Sequence, residues 1–460
     1  MREPGRISAA IEIVEDFDAR RVPLKTVIAD WSRNNRYAGS KDRAWISGLC
    51  LDVLRRRHSL GAAMGDDSPR SAVLAAMRFM WGASVEELVE CAAAEHGPGA
   101  LNESERARLE TQSLNPEWAA CASPPCEAGE IDPVYAGQTP SVGDYPEWLA
   151  SHVERAFGAN SSRVMNAFCE RADIDLRVNS LKSTPDKALA AMKIINAEAA
   201  PILINAARIA APAPSEKAPG VTIIPAFNKG WVEVQDLGSQ IAAAAAGKIK
   251  GAQVLDYCAG GGGKSLALAA MMENTGQLYA YDRDARRLAP LYDRAKRAGV
   301  RNLQIRSPAG GENLDDLAGK MDVVFVDAPC TGAGTWRRHP DTKWRLTEKQ
   351  LQTRMEEQDA VLIEASRFVK PGGRLVWVTC SFLMEENEDR LASYLADNKE
   401  FSLILALDAI NASGQVTQAG NEALQSCVTS DGAIRLTPDK IRADGFFVAV
   451  LVKSGSNELA

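Results

Sequence analysis

Two cysteines in this chain each follow a run of apolar, β-branched residues. Cys330 ends the segment Asp327–Cys330 directly after Val323–Val326, and Cys380 follows Leu375–Val378 with one threonine between. Such runs are typical of buried parallel strands, and ligands of open α/β sheets bind at the carboxyl ends of the strands. An acidic residue stands three positions before the first cysteine. The pattern therefore predicts thiolate chemistry on a bound substrate at this edge of a sheet.

A glycine-rich segment indicates where a co-substrate binds. Val254–Cys258 is predicted to be a strand, Gly260–Gly263 a loop, and the residues from Ser265 onward a helix. This order is typical of nucleotide-binding folds, because glycines allow a ligand to approach the backbone closely. The next predicted strand, Leu278–Tyr281, ends at Asp282, roughly 20 residues beyond the loop. That is the spacing expected for an acid that binds ribose hydroxyls.

Loops of this type bind several kinds of ligand. A P-loop is disfavoured, although Gly263–Ser265 fits its end and Val323–Asp327 resembles a Walker B strand, because Cys258 occupies the position of its first glycine. A dinucleotide fingerprint that starts at Gly260 fails, because it ends on Ser265 instead of glycine. S-adenosylmethionine fits better, since it carries a ribose and no phosphates. A βα turn without any ligand is the remaining alternative.

A basic and aromatic segment follows Cys330, and a second basic cluster lies near the N-terminus. Unstacked bases and phosphates are bound by such side chains, so both clusters are predicted to contact RNA. The alternative for the first segment is a solvated loop with tryptophans packed beneath it. The nominated residues are Arg337, Arg338, Lys343 and Arg345, interleaved with Trp336 and Trp344, and the triplet Arg55, Arg56 and Arg57.

Composition limits the classes of protein that fit. The chain has 460 residues, 46% of them hydrophobic, and a formal net charge of −7, so any RNA site must be local. Nine cysteines, an odd number in so long a chain, favour a reducing compartment over a disulfide framework. Cys121 and Cys126 have no second ligand pair nearby, so we expect no metal. Without a signal peptide or a long apolar run, we expect a cytoplasmic protein without membrane contact.

The chain divides into three predicted segments. Residues 1–140 are predicted to be a helical domain with a linker, since apolar residues recur at helical spacing and residues 119–145 are rich in Pro, Gly, Ser and Ala. Residues 141–235 are predicted to form a small α/β subdomain containing the strand Ile174–Val178. Residues 236–455 are predicted to form the core that carries the chemistry.

Ten short motifs, in this order and spacing, carry a family resemblance. The chain resembles the NOL1/NOP2/Sun group of RNA cytosine-C5 methyltransferases, and within it the bacterial type that acts on 16S rRNA. The resemblance implies an α/β fold: a Rossmann-like class I S-adenosylmethionine-dependent methyltransferase core behind an all-α, NusB-like RNA-binding domain. The motifs are Leu176–Asn179, Gln235–Gln240, Asp256–Lys264, Asp327–Arg338, Pro340–Asp341, Lys343–Trp344, Lys370–Gly373, Thr379–Ser381, Glu386–Glu388 and Asp444–Phe447.

The resemblance also implies roles for individual residues. Cys380 matches the cysteine that attacks C6 of cytosine, and Cys330 matches the one that assists release of the product. Asp327 would hydrogen-bond the base, and Lys264 would orient the base or the cofactor. The residues implied to bind S-adenosylmethionine are Cys258, Ala259, Gly260, Gly261, Gly262, Gly263, Lys264, Asp282 and Asp327.

Two departures from the family pattern qualify these expectations. The family has Ala-Pro where this chain has Gly260-Gly261, and it has an acid after the third strand where this chain has Ser307-Pro308. The next acid is Glu312, so the adenine contact cannot be assigned. The expected substrate is 16S rRNA, bound by a monomer. The alternatives are a tRNA methyltransferase, a non-catalytic RNA-binding assembly factor on the same fold and, disfavoured by its glycine pattern, a P-loop NTPase.

Overall fold

A computed structural model of the chain describes residues 1–114, 143–216, 218–310 and 313–455. The described residues form two compact units. The first contains Met1–Arg171, Pro212–Ala218 and Thr335–Thr347, and the second contains Ala172–Ala211, Pro219–Gly334 and Glu348–Ala460. Most of the predicted linker, Cys121 and Cys126, and Glu312 lie outside the described residues.

Helices run through all of the described segments, and the first described strand begins at Ile174. The α-helices are α1 (Glu3–Arg20), α2 (Leu24–Asn34), α3 (Ser40–Arg55), α4 (Arg57–Met64), α5 (Pro69–Ala75), α6 (Val85–Ala93), α7 (Glu103–Thr111), α8 (Ala150–Phe157), α9 (Ser161–Phe168), α10 (Pro185–Met192), α11 (Pro225–Asn228), α12 (Leu237–Ala244), α13 (Gly263–Met271), α14 (Ala285–Ala298), α15 (Pro340–Arg345), α16 (Glu348–Ser366), α17 (Glu388–Asp397), α18 (Ala406–Ala412), α19 (Gln418–Gln425) and α20 (Pro438–Ile441). The strands are β1 (Ile174–Val178), β2 (Glu198–Ala199), β3 (Ala206–Ile209), β4 (Val232–Val234), β5 (Gln253–Asp256), β6 (Gln277–Tyr281), β7 (Leu303–Arg306), β8 (Met321–Asp327), β9 (Val369–Thr379), β10 (Phe401–Ile404), β11 (Ile434–Leu436) and β12 (Phe446–Lys453).

The first unit is built from helices that bury one apolar face each. In α1 the buried positions recur at helical spacing, from Ile7 through Ile11 to Val14. In α3 they include Ile46 and Leu49. These faces share one core, which stabilises amphipathic helices more than their intrinsic propensity does. The helical prediction for this region is confirmed up to Leu114, where the first described segment ends.

A small antiparallel sheet opens the second unit. Its strand order is β2-β3-β1-β4, and the predicted strand Ile174–Val178 is its central strand β1. Leu176 and Val178 pack with apolar residues of α10 and α11 on one face of this sheet. Strand β4 of this subdomain carries the acidic residue Glu233 and belongs to the second unit.

The large sheet has the order β10-β12-β9-β8-β5-β6-β7. The five strands from β9 to β7 are parallel, whereas β12 runs antiparallel to β9 and β10. The chain order reverses between β5 and β8, which is where ligands of doubly wound folds bind. The Rossmann-like core is therefore confirmed. The predicted strand at Val254–Cys258 is shorter than expected, because β5 ends at Asp256 and the chain turns there.

The two units divide the chain differently from the predicted segments. Residues 143–171 group with the N-terminal helices instead of with the small α/β subdomain, and Thr335–Thr347 leaves the core to join the same unit. Among the helices of the described segments, none combines the length and the apolar character needed to cross a membrane.

Candidate active site

The two predicted cysteines lie together at the carboxyl edge of the large sheet. β8 and β9 are neighbouring parallel strands in which Asp327 pairs with Val378, so the residues that follow them share one edge. The Sγ atoms of Cys330 and Cys380 are 3.3 Å apart, and both side chains are half-buried. One substrate atom can therefore be reached by both sulfur atoms.

The electrostatic surroundings favour a neutral Cys330. Its hydrogen bond with Cys380 raises the pKa of the Cys330 thiol well above the ordinary value, and burial and the charge of Glu386 act in the same direction. At neutral pH Cys330 therefore keeps its proton and can donate it to the sulfur of Cys380.

Hydrogen bonds among buried groups fix the two loops that carry the cysteines. Glu386 accepts from the N–H of Thr331 at 2.8 Å, from the Thr331 hydroxyl at 2.5 Å and from Gln358 Nε2 at 3.0 Å. The N–H of Gly334 donates to the carbonyl of Cys380 at 2.9 Å. Burial raises the pKa of Glu386 despite its hydrogen bonds. The Glu386–Glu388 motif therefore positions both cysteines, a role that the sequence did not reveal.

An ion pair between Lys264 and Asp327 lies at the end of β8, the strand that precedes Cys330. Lys264 Nζ lies 2.6 Å from Asp327 Oδ2 and 5.2 Å from the centre of the Phe446 ring. Burial acts to lower the pKa of Lys264, but the charge and hydrogen bond of Asp327 outweigh it and raise the pKa above its ordinary value. Lys264 is therefore a buried ammonium group. The charge of Cys380 also acts to raise the pKa of Lys264, so this cysteine lies within electrostatic reach of the ion pair.

The glycine loop is hydrogen-bonded to Asp282 within the protein itself. Asp282 Oδ2 accepts from the N–H of Gly260 at 3.0 Å, and Oδ1 accepts from the N–H of Asp284 at 2.9 Å. Arg287 Nη1 approaches the same carboxylate to 3.1 Å. Gly260 and Gly262 have φ angles of 50° and 80°, a region that glycine adopts without strain. The loop and its predicted acidic partner are thus brought together.

Asp256 is a further buried carboxyl group below this loop. It accepts a hydrogen bond from the Ser265 hydroxyl at 2.6 Å. Burial is the largest cause that raises the pKa of Asp256 to about 7, and the charges of Asp327 and Asp282 add to it. The sequence placed Asp256 in a family motif but gave it no role. The signal was an acid at the end of a central apolar strand.

Three carboxyl groups thus surround the loop, from Asp256, Asp282 and Asp327. The charges of Asp282 and Asp327 act to raise the pKa of Asp256, and the charges of all three act to raise that of Cys258. S-adenosylmethionine carries a positive sulfonium and an ammonium group, and a site lined by acids favours such a cation. The residues present therefore fit this cofactor better than a nucleotide with several phosphates. Among the described residues, no cluster of His, Cys, Asp and Glu is arranged to hold a metal ion.

The nominated RNA-binding residues fall into two groups. The side chains of Arg55, Arg337 and Lys343 are buried within the first unit, at 6%, 3% and 1% exposure. Arg55 donates to the carbonyl of Arg337 at 2.8 Å, and Lys343 donates to the carbonyl of Arg55 at 2.8 Å. The expected exposed basic surface is therefore not found for these three, and we remove them from the RNA contacts. Arg56, Arg57, Arg338 and Arg345 are half-buried.

The segment that contains the buried group is packed, so it is not the solvated loop that was the alternative to RNA contact. Trp336 is buried within the same unit, and its ring lies 6.5 Å from that of Phe168. Trp344 donates from Nε1 to the carbonyl of Leu54 at 2.6 Å. Buried cations need acceptors, and here the carbonyl groups at the end of α3 provide them. Residues 335–347 therefore complete the core of the helical unit.

Comparisons with known proteins agree with this geometry. A family model described as 16S rRNA methyltransferase RsmB/F matches residues 247–452, and one described as the ferredoxin-like domain of RsmF/B-like methyltransferases matches residues 145–216. The ribosomal RNA small subunit methyltransferase B of Photorhabdus laumondii is 32% identical over 316 residues, which are 67% of this chain and 66% of that protein. The protein of the same name from Klebsiella pneumoniae strain 342 is 31% identical over 313 residues, again 67% and 66%. The chain thus aligns with slightly less than two thirds of the length of these relatives.

Solved structures support the fold. A methyltransferase homologue from Pyrococcus horikoshii is 25% identical, covers 67% of this chain and 95% of its own, and gives a TM-score of 0.53. NSun6 from Pyrococcus horikoshii, solved with SFG, is 20% identical, covers 67% of this chain and 98% of its own, and gives a TM-score of 0.56. Together with the paired cysteines and the glycine loop, these matches show that the chain belongs to the RsmB/F branch of the NOL1/NOP2/Sun methyltransferase family.

Proposed function

We propose that this protein transfers a methyl group from S-adenosylmethionine to C5 of a cytosine in RNA, through a covalent bond between Cys380 and C6 of the base. The observation that carries the proposal is the pair of sulfur atoms 3.3 Å apart at the end of β8 and β9. The Lys264–Asp327 ion pair lies at the end of β8, three residues before Cys330. A nucleophile, a second thiol and a charged base-binding pair at one sheet edge are what this reaction needs.

The first step is addition of the Cys380 thiolate to C6. Cytosine C5 is a weak nucleophile, and this addition converts the C5–C6 double bond into an enamine whose electrons lie on C5. The negative charge that develops in the ring is stabilised by hydrogen-bond donors that are already in place. Lys264 supplies a charged donor for a ring acceptor, and Asp327 accepts from the exocyclic amine. Because Lys264 is the donor in this arrangement, Asp327 can remain ionised and need not give a proton to the ring.

S-adenosylmethionine would be held by the glycine loop and by Asp282, and it would supply an electrophilic methyl group for C5. In the last step the C5 proton passes to solvent and the electrons of the C5–H bond form the C5–C6 double bond. The Cys380–C6 bond breaks with its electrons returning to sulfur, so that the aromatic ring is restored. We assign Cys330 to assist this release, because its thiol already contacts the sulfur that leaves.

RNA of the small ribosomal subunit is the proposed substrate. The matching family model and both curated relatives carry that substrate in their names. The alternative is tRNA. Bisulfite sequencing of rRNA and tRNA from cells with and without this protein separates the two. We expect one cytosine of 16S rRNA to lose protection in cells that lack the protein, and loss of protection in tRNA alone would overturn the assignment.

The roles of the two cysteines are tested by covalent adducts. Cys380→Ala should abolish both turnover and any denaturant-resistant protein–RNA adduct, since no bond to C6 forms. Cys330→Ala should methylate once and then accumulate the adduct, because release fails. The assay is denaturing electrophoresis with labelled RNA and cofactor, and Cys427→Ala, a buried cysteine elsewhere in the second unit, is the matched control. Equal loss of adduct in both active-site variants would refute the assignment, as would adduct from Cys380→Ala.

A further inference from the structure

The glycine loop has little stiffness of its own. Residues Gly260–Gly263 are four consecutive glycines. Glycine loses more conformational freedom on ordering than any other residue, so such a loop costs more to hold in one shape. A loop that binds a cofactor with high affinity needs another source of rigidity.

Nothing at position 261 itself requires glycine. The φ angle of Gly262 is 80°, and a Cβ there would lie 2.1 Å from Leu291 Cδ1, so that position is restricted. Gly261, in contrast, is not among the residues with positive φ, and the nearest atom to a Cβ there is Arg294 Nη1 at 3.5 Å. Its N–H donates no hydrogen bond within the part of the chain that is described.

Arg294 spans from the loop to the small α/β subdomain. This half-buried residue of α14 donates from Nη1 to the carbonyl of Gly261 at 2.5 Å and from Nη2 to Glu233 Oε2 at 3.2 Å. A Cβ at Gly263 would also face its guanidinium, at 3.9 Å. The planar fork of arginine is suited to hold two acceptors in fixed positions at once.

Glu233 is itself immobilised. Its side chain is buried on β4, and its second oxygen accepts from Arg297 Nη2. The pKa of the neighbouring Arg177 is lowered to about 10 by burial, while the charge of Glu233 acts to raise it. Because Arg294 and Arg297 each bind one oxygen of the Glu233 carboxylate, that carboxylate holds Arg294 in one orientation.

We propose that Arg294, held by Glu233, is a positioning residue that stiffens the glycine loop and thereby sets the affinity for S-adenosylmethionine. The guanidinium does from outside the loop what a proline at position 261 does from within it. The inference rests on the proposed function in one respect, since it takes the loop to bind the cofactor. The stiffening itself is a property of the free protein.

The experiment compares four proteins: wild type, Arg294→Met, Gly261→Pro and the double variant. Arg294→Met should weaken S-adenosylmethionine binding, measured by calorimetry, by roughly tenfold, the loss expected for one hydrogen bond from a charged donor. It should also speed amide hydrogen exchange at residues 260–264 without any ligand. Adding Gly261→Pro should restore most of the affinity and slow the exchange again, because proline fixes φ.

Lys296→Met is the matched control, because Lys296 is an exposed cation on the same helix, outside the contacts of Glu233 and of the loop. It should leave cofactor affinity within about twofold of wild type. Equal losses in Arg294→Met and Lys296→Met, or no recovery in the double variant, would overturn the inference in favour of a general stabilising or electrostatic role. If the wild type binds no S-adenosylmethionine, the proposed function fails, and unchanged exchange in Arg294→Met would independently reject the stiffening.

Discussion

At the scale of single residues, the fold raises the pKa of Asp256 far enough to make stability depend on pH near neutrality. Asp256 is fully buried, and of its two oxygens Oδ1 finds no partner among the described residues. Burial, followed in effect by the charges of Asp327 and Asp282, raises its pKa to about 7, whereas an unfolded chain releases this proton near pH 4. The stabilising contribution of the protonated form is therefore complete below about pH 4 and is lost as the pH rises through about 7.

Asp256→Asn should remove this pH dependence, because the amide is neutral at every pH and its oxygen can still accept from Ser265. Between about pH 5 and pH 8 the wild type should lose stability relative to the variant, by on the order of 1–3 kcal/mol. Urea unfolding at several pH values measures it. Asp293→Asn, an exposed acid on α14, is the control and should follow the wild type. Parallel curves for wild type and Asp256→Asn would contradict the raised pKa.

At the scale of elements, the glycine loop joins β5 to α13, and its tightest position is Gly262. Gly262 precedes the helix with a φ of 80°, and any Cβ would overlap Leu291 on α14. Gly262→Ala should therefore strain the backbone, displace α14, lower stability by about 1–3 kcal/mol and weaken cofactor binding. Thermal unfolding and calorimetry measure the two effects. Gly263→Ala, whose Cβ meets Arg294 only at 3.9 Å, should be nearly neutral. Similar losses in both variants would show that any added side chain at the start of α13 lowers stability, and that overlap with Leu291 is not the cause.

The elements also show what could be predicted from the sequence. Central parallel strands are buried on both faces, so their apolar runs identified β5, β6, β8 and β9 and placed Cys330 and Cys380 at one edge. The basic side chains of residues 335–347 indicated RNA contact, with a solvated loop as the alternative, but both interpretations assume exposed side chains. Lys343 finds the carbonyl of Arg55 at a separation of 288 positions, and no local pattern contains such a contact. For the same reason the hydrogen bonds of Glu386 and Arg294 could not be predicted.

At the scale of the whole molecule, a net charge of −7 opposes RNA binding unless basic groups are locally concentrated. With Arg55, Arg337 and Lys343 buried, the nominated contacts are Arg56, Arg57, Arg338 and Arg345. Arg57 already binds both oxygens of Asp18, and Arg345 lies 3.3 Å from Asp341. We therefore expect Arg57, whose charge is largely compensated by Asp18, to contribute little to RNA affinity.

Arg338→Ala and Arg345→Ala should each weaken RNA binding and reduce the slope of log affinity against log salt by about 0.7, the value for one lost phosphate contact on a single strand. Arg57→Ala should change the slope less. Arg55→Met should act differently, because its guanidinium is buried and pairs with Asp52 at 2.6 Å. The variant removes one of the two guanidinium partners of the buried Asp52, which keeps its pair with Arg171. It should therefore lose about 1.5–3 kcal/mol of stability while the salt slope stays unchanged.

The decisive measurement is RNA affinity at several salt concentrations, with thermal unfolding of every variant alongside. Lys248→Ala, an exposed lysine between α12 and β5, removes the same charge elsewhere and is the control for a general electrostatic effect. A slope for Arg338→Ala or Arg345→Ala equal to that of the wild type would exclude that residue from the RNA contacts. A reduced slope with unchanged stability for Arg55→Met would show that this side chain leaves the interior when RNA binds. In that case the buried network of Arg55, Arg337 and Lys343 would be a surface exposed by the substrate and not a fixed core.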